Sequence, residues 1–173
     1  MKNNAIDKIS NYKKIVIVGC GGSGKSFLSR KLSEVLGYPI MHLDKEYWLP
    51  GWEHVTYEEF VEKQRAFISN ESWIIEGNYY SSMEMRFAAA DLIIFLDINR
   101  LVCLYSVIKR LKEKRTDLPE GLDNTVDAEF LKWIWNFSKN EKPKIIGLHS
   151  KYAALPFITI TSRKELRELI TKA

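Results

Sequence analysis

Eight consecutive residues, Gly19, Cys20, Gly21, Gly22, Ser23, Gly24, Lys25 and Ser26, fit the pattern G-x-x-x-x-G-K-[ST]. Glycines let successive backbone N–H groups turn inward onto phosphate oxygens, where a Cβ would obstruct them. A helix starting at Lys25 would add its positive end and its unpaired N–H groups. Lys25 supplies a mobile charge for the β- and γ-phosphates, and the Ser26 hydroxyl suits Mg²⁺. Residues 19–26 therefore read as a loop that holds the phosphates of a nucleotide.

Such a loop needs a nearby acid to bind Mg²⁺ or to orient its waters. Asp44, Glu76 and Asp97 each end an apolar run. Glu76 precedes Gly77, where a ligand can approach the backbone closely, and is the candidate metal residue beside Ser26. Asp44 suits a general base, a ligand of the second substrate or a metal ligand, with a helix cap as the plain alternative. Asp97 looks superficially like a metal-binding aspartate at a strand end, but a cap or turn ahead of Arg100 is preferred.

Arg100, Lys109, Arg110, Lys112, Lys114 and Arg115 crowd one stretch and its exit. Lys109 and Lys112 read as a solvated helix face. Arg110 and Arg115 lead into a polar segment that suits a lid over about 114–125, where a planar guanidinium can bind phosphate in two places. Arg86 is a third such candidate, so the catalytic set is Lys25, Asp44, Arg86, Arg110 and Arg115. Tyr47, Trp48, Trp52 and Tyr57 cluster after Asp44 in an acceptor-binding region over about 45–70. Stacking on a planar acceptor and forming a small satellite core are equally open for them. His42, His54 and His149 have no metal-like spacing and read as structural.

The elements that must position these groups alternate along the chain. Short β-branched or apolar runs at 15–18, 39–43, 73–75, 92–96 and 157–161 predict strands. Between them lie helical patterns: 25–36 stopped by Gly37, one capped by Thr56 and Glu59, about 101–114, about 126–137, and a last one capped by Ser162 and Glu165. Pro143 marks a kink or a new helix start. Strand–helix alternation predicts an α/β fold, a parallel sheet covered by helices on both faces, with ligands at the carboxyl ends of the strands.

At 173 residues the chain reads as a single domain spanning 1–173, and a net charge of +4 suits an anionic small molecule without demanding nucleic acid. Cys20 and Cys103 make neither a disulfide framework nor a metal cluster, and no apolar run approaches a membrane span. A polar N-terminus without a signal peptide completes the expectation of a cytoplasmic protein.

The region 15–115 resembles the bacterial topology-modulation-protein family, which are adenylate-kinase-like P-loop proteins. The likeness is carried by residues 19–26, by Leu43-Asp44-Lys45-Glu46-Tyr47-Trp48-Leu49-Pro50-Gly51-Trp52, by Trp73-Ile74-Ile75-Glu76-Gly77-Asn78-Tyr79, by Arg86, and by Ala90-Asp91 leading into Leu96-Asp97. The resemblance implies a three-layer nucleotide-kinase fold, a five-stranded parallel sheet ordered 2-3-1-4-5 with a short lid, and Glu76-Gly77 where such kinases carry Asp-Gly. It also implies that Arg86 grips an acceptor phosphate and that Arg110 lies over the adenine. The family name suggests an influence on DNA topology, yet the chain shows no helix-turn-helix, zinc pattern or concentrated basic face, so direct DNA contact is not expected.

The expected function is transfer of the γ-phosphoryl of ATP·Mg²⁺ to a small acceptor, with a nucleotide-dependent switch as the alternative. Arg86 leans that acceptor towards a nucleotide or phosphorylated metabolite. The absence of an Asn/Thr-Lys-x-Asp guanine-reading motif favours ATP over GTP.

Overall fold

The computed structural model describes residues 9–112, 122 and 126–171. Five strands form one sheet: β1 (Lys14–Gly19), β2 (Ile40–His42), β3 (Trp73–Glu76), β4 (Leu92–Leu96) and β5 (Phe157–Ile160). Their spatial order is β2-β3-β1-β4-β5, and every pairing is parallel. Parallel neighbours cannot be joined by tight turns, so each crossover carries at least one helix. These are α1 (Lys25–Leu36), α2 (Leu43–Tyr47), α3 (Tyr57–Ile68), α4 (Tyr80–Ala89), α5 (Arg100–Lys109), α6 (Ala128–Asn140) and α7 (Lys142–Ser150), with α8 (Arg163–Thr171) after β5.

All residues of β3 and β4 are buried, as are the last five of β1. Strands buried on both faces read as continuous apolar runs, which is why 15–18 and 92–96 show no alternation. The core is built on these central strands together with Leu28, Leu32, Phe60, Met83, Phe87, Cys103, Ile134 and Leu166 from the helices. The fold matches the expected class and strand order.

Local rules place most helix starts. Thr56 accepts from the Glu59 amide at 3.2 Å while the Glu59 carboxylate takes the Thr56 N–H at 3.0 Å, a complete capping box. Ser162 accepts from the Glu165 amide at 3.2 Å, but the Glu165 carboxylate reaches one residue further back, to the Thr161 N–H at 2.7 Å. Pro143 lies in the first turn of α7, a new helix rather than a kink. Two expectations shift. Residue Leu43 leaves the second strand to open α2, and α5 stops at Lys109, passing into a 3₁₀ turn at Arg110–Lys112 instead of continuing to 114. Arg115 and the expected lid, residue 122 apart, lie outside the described residues.

Candidate functional site

The carboxyl ends of β1, β2 and β3 meet at the phosphate loop. Register decides which side chains meet there, since Glu76 lies beside Ile17 of β1 and beside His42 of β2. The Glu76 Oε1 accepts from the Ser26 hydroxyl at 2.9 Å and lies 2.7 Å from His42 Nδ1. Both His42 and Glu76 are largely buried, at 14% and 6% side-chain exposure, so this carboxylate is held from two sides away from bulk water. A serine hydroxyl beside a carboxylate is the hard-oxygen donor pair that Mg²⁺ prefers, and the pair fits that ion.

Lys25 folds its Nζ back onto the Gly19 and Cys20 carbonyls, each at 3.1 Å. The loop is also held from outside by elements far along the chain. Asn78 pairs with Gly19 like a backbone strand: its Oδ1 accepts the Gly19 N–H at 3.0 Å and its Nδ2 donates to the Gly19 carbonyl at 2.9 Å. Arg163, at the start of α8, donates to the Gly22 carbonyl at 2.6 Å and to the Ser106 hydroxyl at 3.0 Å. Phe130 and Trp133, stacked at 5.8 Å with planes 11° apart, sit against Gly21, where a Cβ would stand 2.7 Å from the Phe130 ring. Ser23 is fully buried, and its hydroxyl has no partner among the described residues.

The two cysteines meet behind this loop. Both are free and buried. The Cys20 thiol donates to the Ile134 carbonyl at 3.9 Å and the Cys103 thiol to the Ile98 carbonyl at 3.6 Å. The neighbouring Cys103 sulfur and burial push the Cys20 thiol up, while the Cys20 thiol holds Cys103 down. The charges of Arg163, Lys25 and Arg110 add to the lowering at Cys103.

In the region expected to take the acceptor, Asp44 lies in the first turn of α2. It is not a cap, for the cap position is His42. Its Oδ1 accepts from the Tyr79 hydroxyl at 2.9 Å. Burial, with the Asp44 charge second, raises the Tyr79 phenol well above the ordinary tyrosine range, so it stays a donor. Tyr47 lies at the centre of the aromatic group, stacked on His54 at 5.1 Å and meeting Trp48, Phe60 and Tyr79 within 5.1 Å. Trp52 touches Trp48 at 5.4 Å and is 37% exposed, while Tyr57 is 52% exposed. These rings pack on one another and, through Phe60, Tyr47 and Tyr79, onto the main core, leaving an exposed rim at Trp52 and Tyr57.

Two expected residues are placed differently. Asp97 ion-pairs with Lys142 at 2.5 Å, and the cap of α5 is Asn99, whose side chain accepts the Leu101 N–H at 2.9 Å. Arg86 is 0% exposed. It cannot grip an acceptor phosphate as the resemblance implied, because its guanidinium is already bonded inside the protein. Nη1 donates to Gln64 Oε1 at 2.8 Å and to the Ser82 hydroxyl at 3.0 Å, and Nη2 to the carbonyls of Asn78 and Tyr79. Sequence reasoning missed His42, Asn78, Phe130, Trp133 and Arg163. Only Asn78 carried a signal, its place directly after Glu76-Gly77.

The chain is similar over most of its length to solved kinases. The shikimate kinase from Acinetobacter baumannii, in complex with shikimate, is 16% identical with a TM-score of 0.58, over 96% of this chain and 93% of that one. A gluconokinase from Sinorhizobium meliloti 1021 is 14% identical with a TM-score of 0.53, over 92% and 90%. The shikimate kinase from Bacteroides thetaiotaomicron is 18% identical with a TM-score of 0.50, over 93% and 96%. No family model matches the chain, and no curated protein matches it by sequence. The likeness to the topology-modulation family rests on the motifs alone. No helix among the described residues is long and apolar enough to cross a membrane. At these identities the shared property is architecture: the chain has the fold of the P-loop kinases that act on small molecules.

Proposed function

We propose that the chain transfers the γ-phosphoryl of ATP to a hydroxyl of a small acceptor that itself carries no phosphate. The observation behind this reading is the pairing of Asp44 with Tyr79 beside the phosphate loop, combined with the burial of Arg86. A phosphate acceptor needs cations to neutralise it and no base, whereas a hydroxyl acceptor needs a carboxylate to orient and deprotonate it. Among the described residues the acceptor side offers that carboxylate, and its arginine faces inward. The solved neighbours include a gluconokinase and shikimate kinases, whose names describe acceptors with hydroxyl groups.

In this reading the backbone N–H groups of residues 19–26 and Lys25 hold the triphosphate, and Lys25 leaves the Gly19 and Cys20 carbonyls to do so. Ser26 and Glu76 hold Mg²⁺, with His42 fixing the carboxylate. Bound there, the ion neutralises charge on the transferring group. Asp44 orients the acceptor hydroxyl and takes its proton, and the Tyr79 hydroxyl keeps the carboxylate aimed. Arg110 brings positive charge to the phosphates and borders the nucleotide, and Arg115, which lies outside the described residues, keeps the same task on its sequence position alone.

The test is a screen of polyols, sugars, hydroxy acids, nucleosides and nucleoside monophosphates for ATP-dependent phosphorylation. The expected result is turnover with an unphosphorylated alcohol. Turnover only with monophosphates would overturn the hydroxyl-acceptor reading, and no turnover above slow hydrolysis would overturn the kinase reading.

A further inference from the structure

Arg86 carries a buried positive charge with no obvious reason to exist. Among the described residues no carboxylate lies in ion-pair range of it, and its Nε has no partner. An uncompensated buried cation is unfavourable, and a packed apolar side chain at this position would avoid it. Its donors therefore point to what it does. Both Nη2 bonds go to successive backbone carbonyls, those of Asn78 and Tyr79. The Nη1 bonds tie this turn to Gln64 of α3 and Ser82 of α4, and Gln64 is itself fully buried, its Oε1 also accepting from Ser82 at 3.1 Å.

The gripped turn is the one that joins the two halves of the site. Asn78 clamps Gly19, the first residue of the phosphate loop, through two bonds, and Tyr79 bonds Asp44. Tyr79 holds a left-handed backbone at φ 38°, which a tyrosine avoids unless its surroundings enforce it. A guanidinium is suited to this task because its fixed fork holds the turn's carbonyls through Nη2 while Nη1 anchors it to Gln64 and Ser82, which an ammonium cannot do with the same rigidity.

We propose that Arg86 is a positioning residue that locks the Asn78–Tyr79 turn and so couples the phosphate loop to the Asp44 carboxylate. The coupling rests on the kinase reading only for its use in catalysis, since the lock on Gly19 exists without any ligand.

The test has two arms. In the first, amide hydrogen exchange is followed in the ligand-free protein. Arg86→Lys is expected to raise exchange at the Gly19 amide about tenfold, while amides of β4 such as Phe95 keep their protection. Unchanged exchange at Gly19, or an equal rise throughout the sheet, would overturn the proposal, the second because it would reveal only a general loss of stability. Ser82→Ala, which removes a single Nη1 partner, gives the same local pattern at smaller amplitude and serves if Arg86→Lys does not fold. The second arm measures binding of ATP·Mg²⁺ by titration calorimetry in Arg86→Lys, Asn78→Ala and the double variant. Each single change is expected to weaken binding about tenfold, and the double change no more than the worse single, because both act through one clamp. Multiplying effects would overturn the coupling. A wild-type protein that binds no ATP would sink the kinase reading, yet the exchange arm would still decide the lock.

Discussion

On the proposed reading the chemistry turns on Asp44, Glu76 and His42, and two of them, Asp44 and His42, have separable predictions. Asp44→Asn keeps the bond from Tyr79 but cannot take a proton, so turnover should fall about 10²–10⁴-fold with ATP affinity near that of the wild type. Steady-state rates with the acceptor found in the screen, set beside calorimetric ATP binding, check this. If affinity falls together with turnover, Asp44 belongs to the nucleotide side instead. His42→Ala frees the Glu76 carboxylate on one side. The Mg²⁺ concentration that half-supports ATP binding should rise about 10–100-fold, as for other groups that orient a metal ligand. Binding of ATP without Mg²⁺ should hardly change, and an equal loss with and without the ion would contradict the assignment. How legible these residues were depends on what governs them. The phosphate loop is local, so residue types at fixed spacing reveal it. His42 is not, because its contact with Glu76 arises only from the register of β2 on β3. Arg86 misleads for the same reason: its distance along the chain from Glu76-Gly77 suits a ligand grip, and only the packing of α3 against α4 turns it inward.

At the scale of elements, the phosphate loop is less an open strand–helix turn than a segment hemmed in by helices that come much later in the chain. Gly22 has φ 77°, and a Cβ there would stand 2.4 Å from the Cys103 carbonyl of α5. Gly37, which ends α1, has a similar φ of 72° with nothing within 4 Å. The same substitution should therefore separate backbone strain from collision. Gly37→Ala bears the left-handed strain alone and should lower stability by about 1–2 kcal/mol. Gly22→Ala adds the collision with α5, for a total of about 2–5 kcal/mol. Chemical denaturation of the two variants against wild type checks this, and equal losses would mean that α5 yields easily at Cys103. Helix starts were legible because caps are local chemistry, as Thr56–Glu59 and Ser162–Glu165 illustrate. The early end of α5 was not, since the periodicity of its apolar residues runs on past Lys109. Nor was the seat of Phe130 and Trp133 on Gly21, because the spacing i, i+3 in an amphipathic helix says only that both face inward.

For the whole molecule, alternation of runs announced a parallel sheet, whereas the order of its strands came from resemblance and is now seen directly in the ladder β2-β3-β1-β4-β5. That order puts β1 at the centre and hangs the phosphate loop from its end. The loop is then bonded or packed to the turn after β3, to α5, to α6 and to α8. A ligand on the loop therefore stabilises an assembly that global unfolding must dismantle, and its binding free energy should appear undiminished in the stability of the fold. With ATP·Mg²⁺ at a hundred times its dissociation constant the gain is about 2.7 kcal/mol, which for a domain of this size raises Tm by about 5–10 °C. Thermal unfolding followed by tryptophan fluorescence or calorimetry measures it. Lys25→Ala removes the charge proposed to meet the phosphates and should abolish most of the shift, whereas Asp44→Asn should retain it, since that carboxylate is proposed to serve the acceptor. A shift of the same size with inorganic phosphate at equal concentration would mean that the loop recognises phosphate alone. A shift that survives Lys25→Ala would move the nucleotide off the loop altogether.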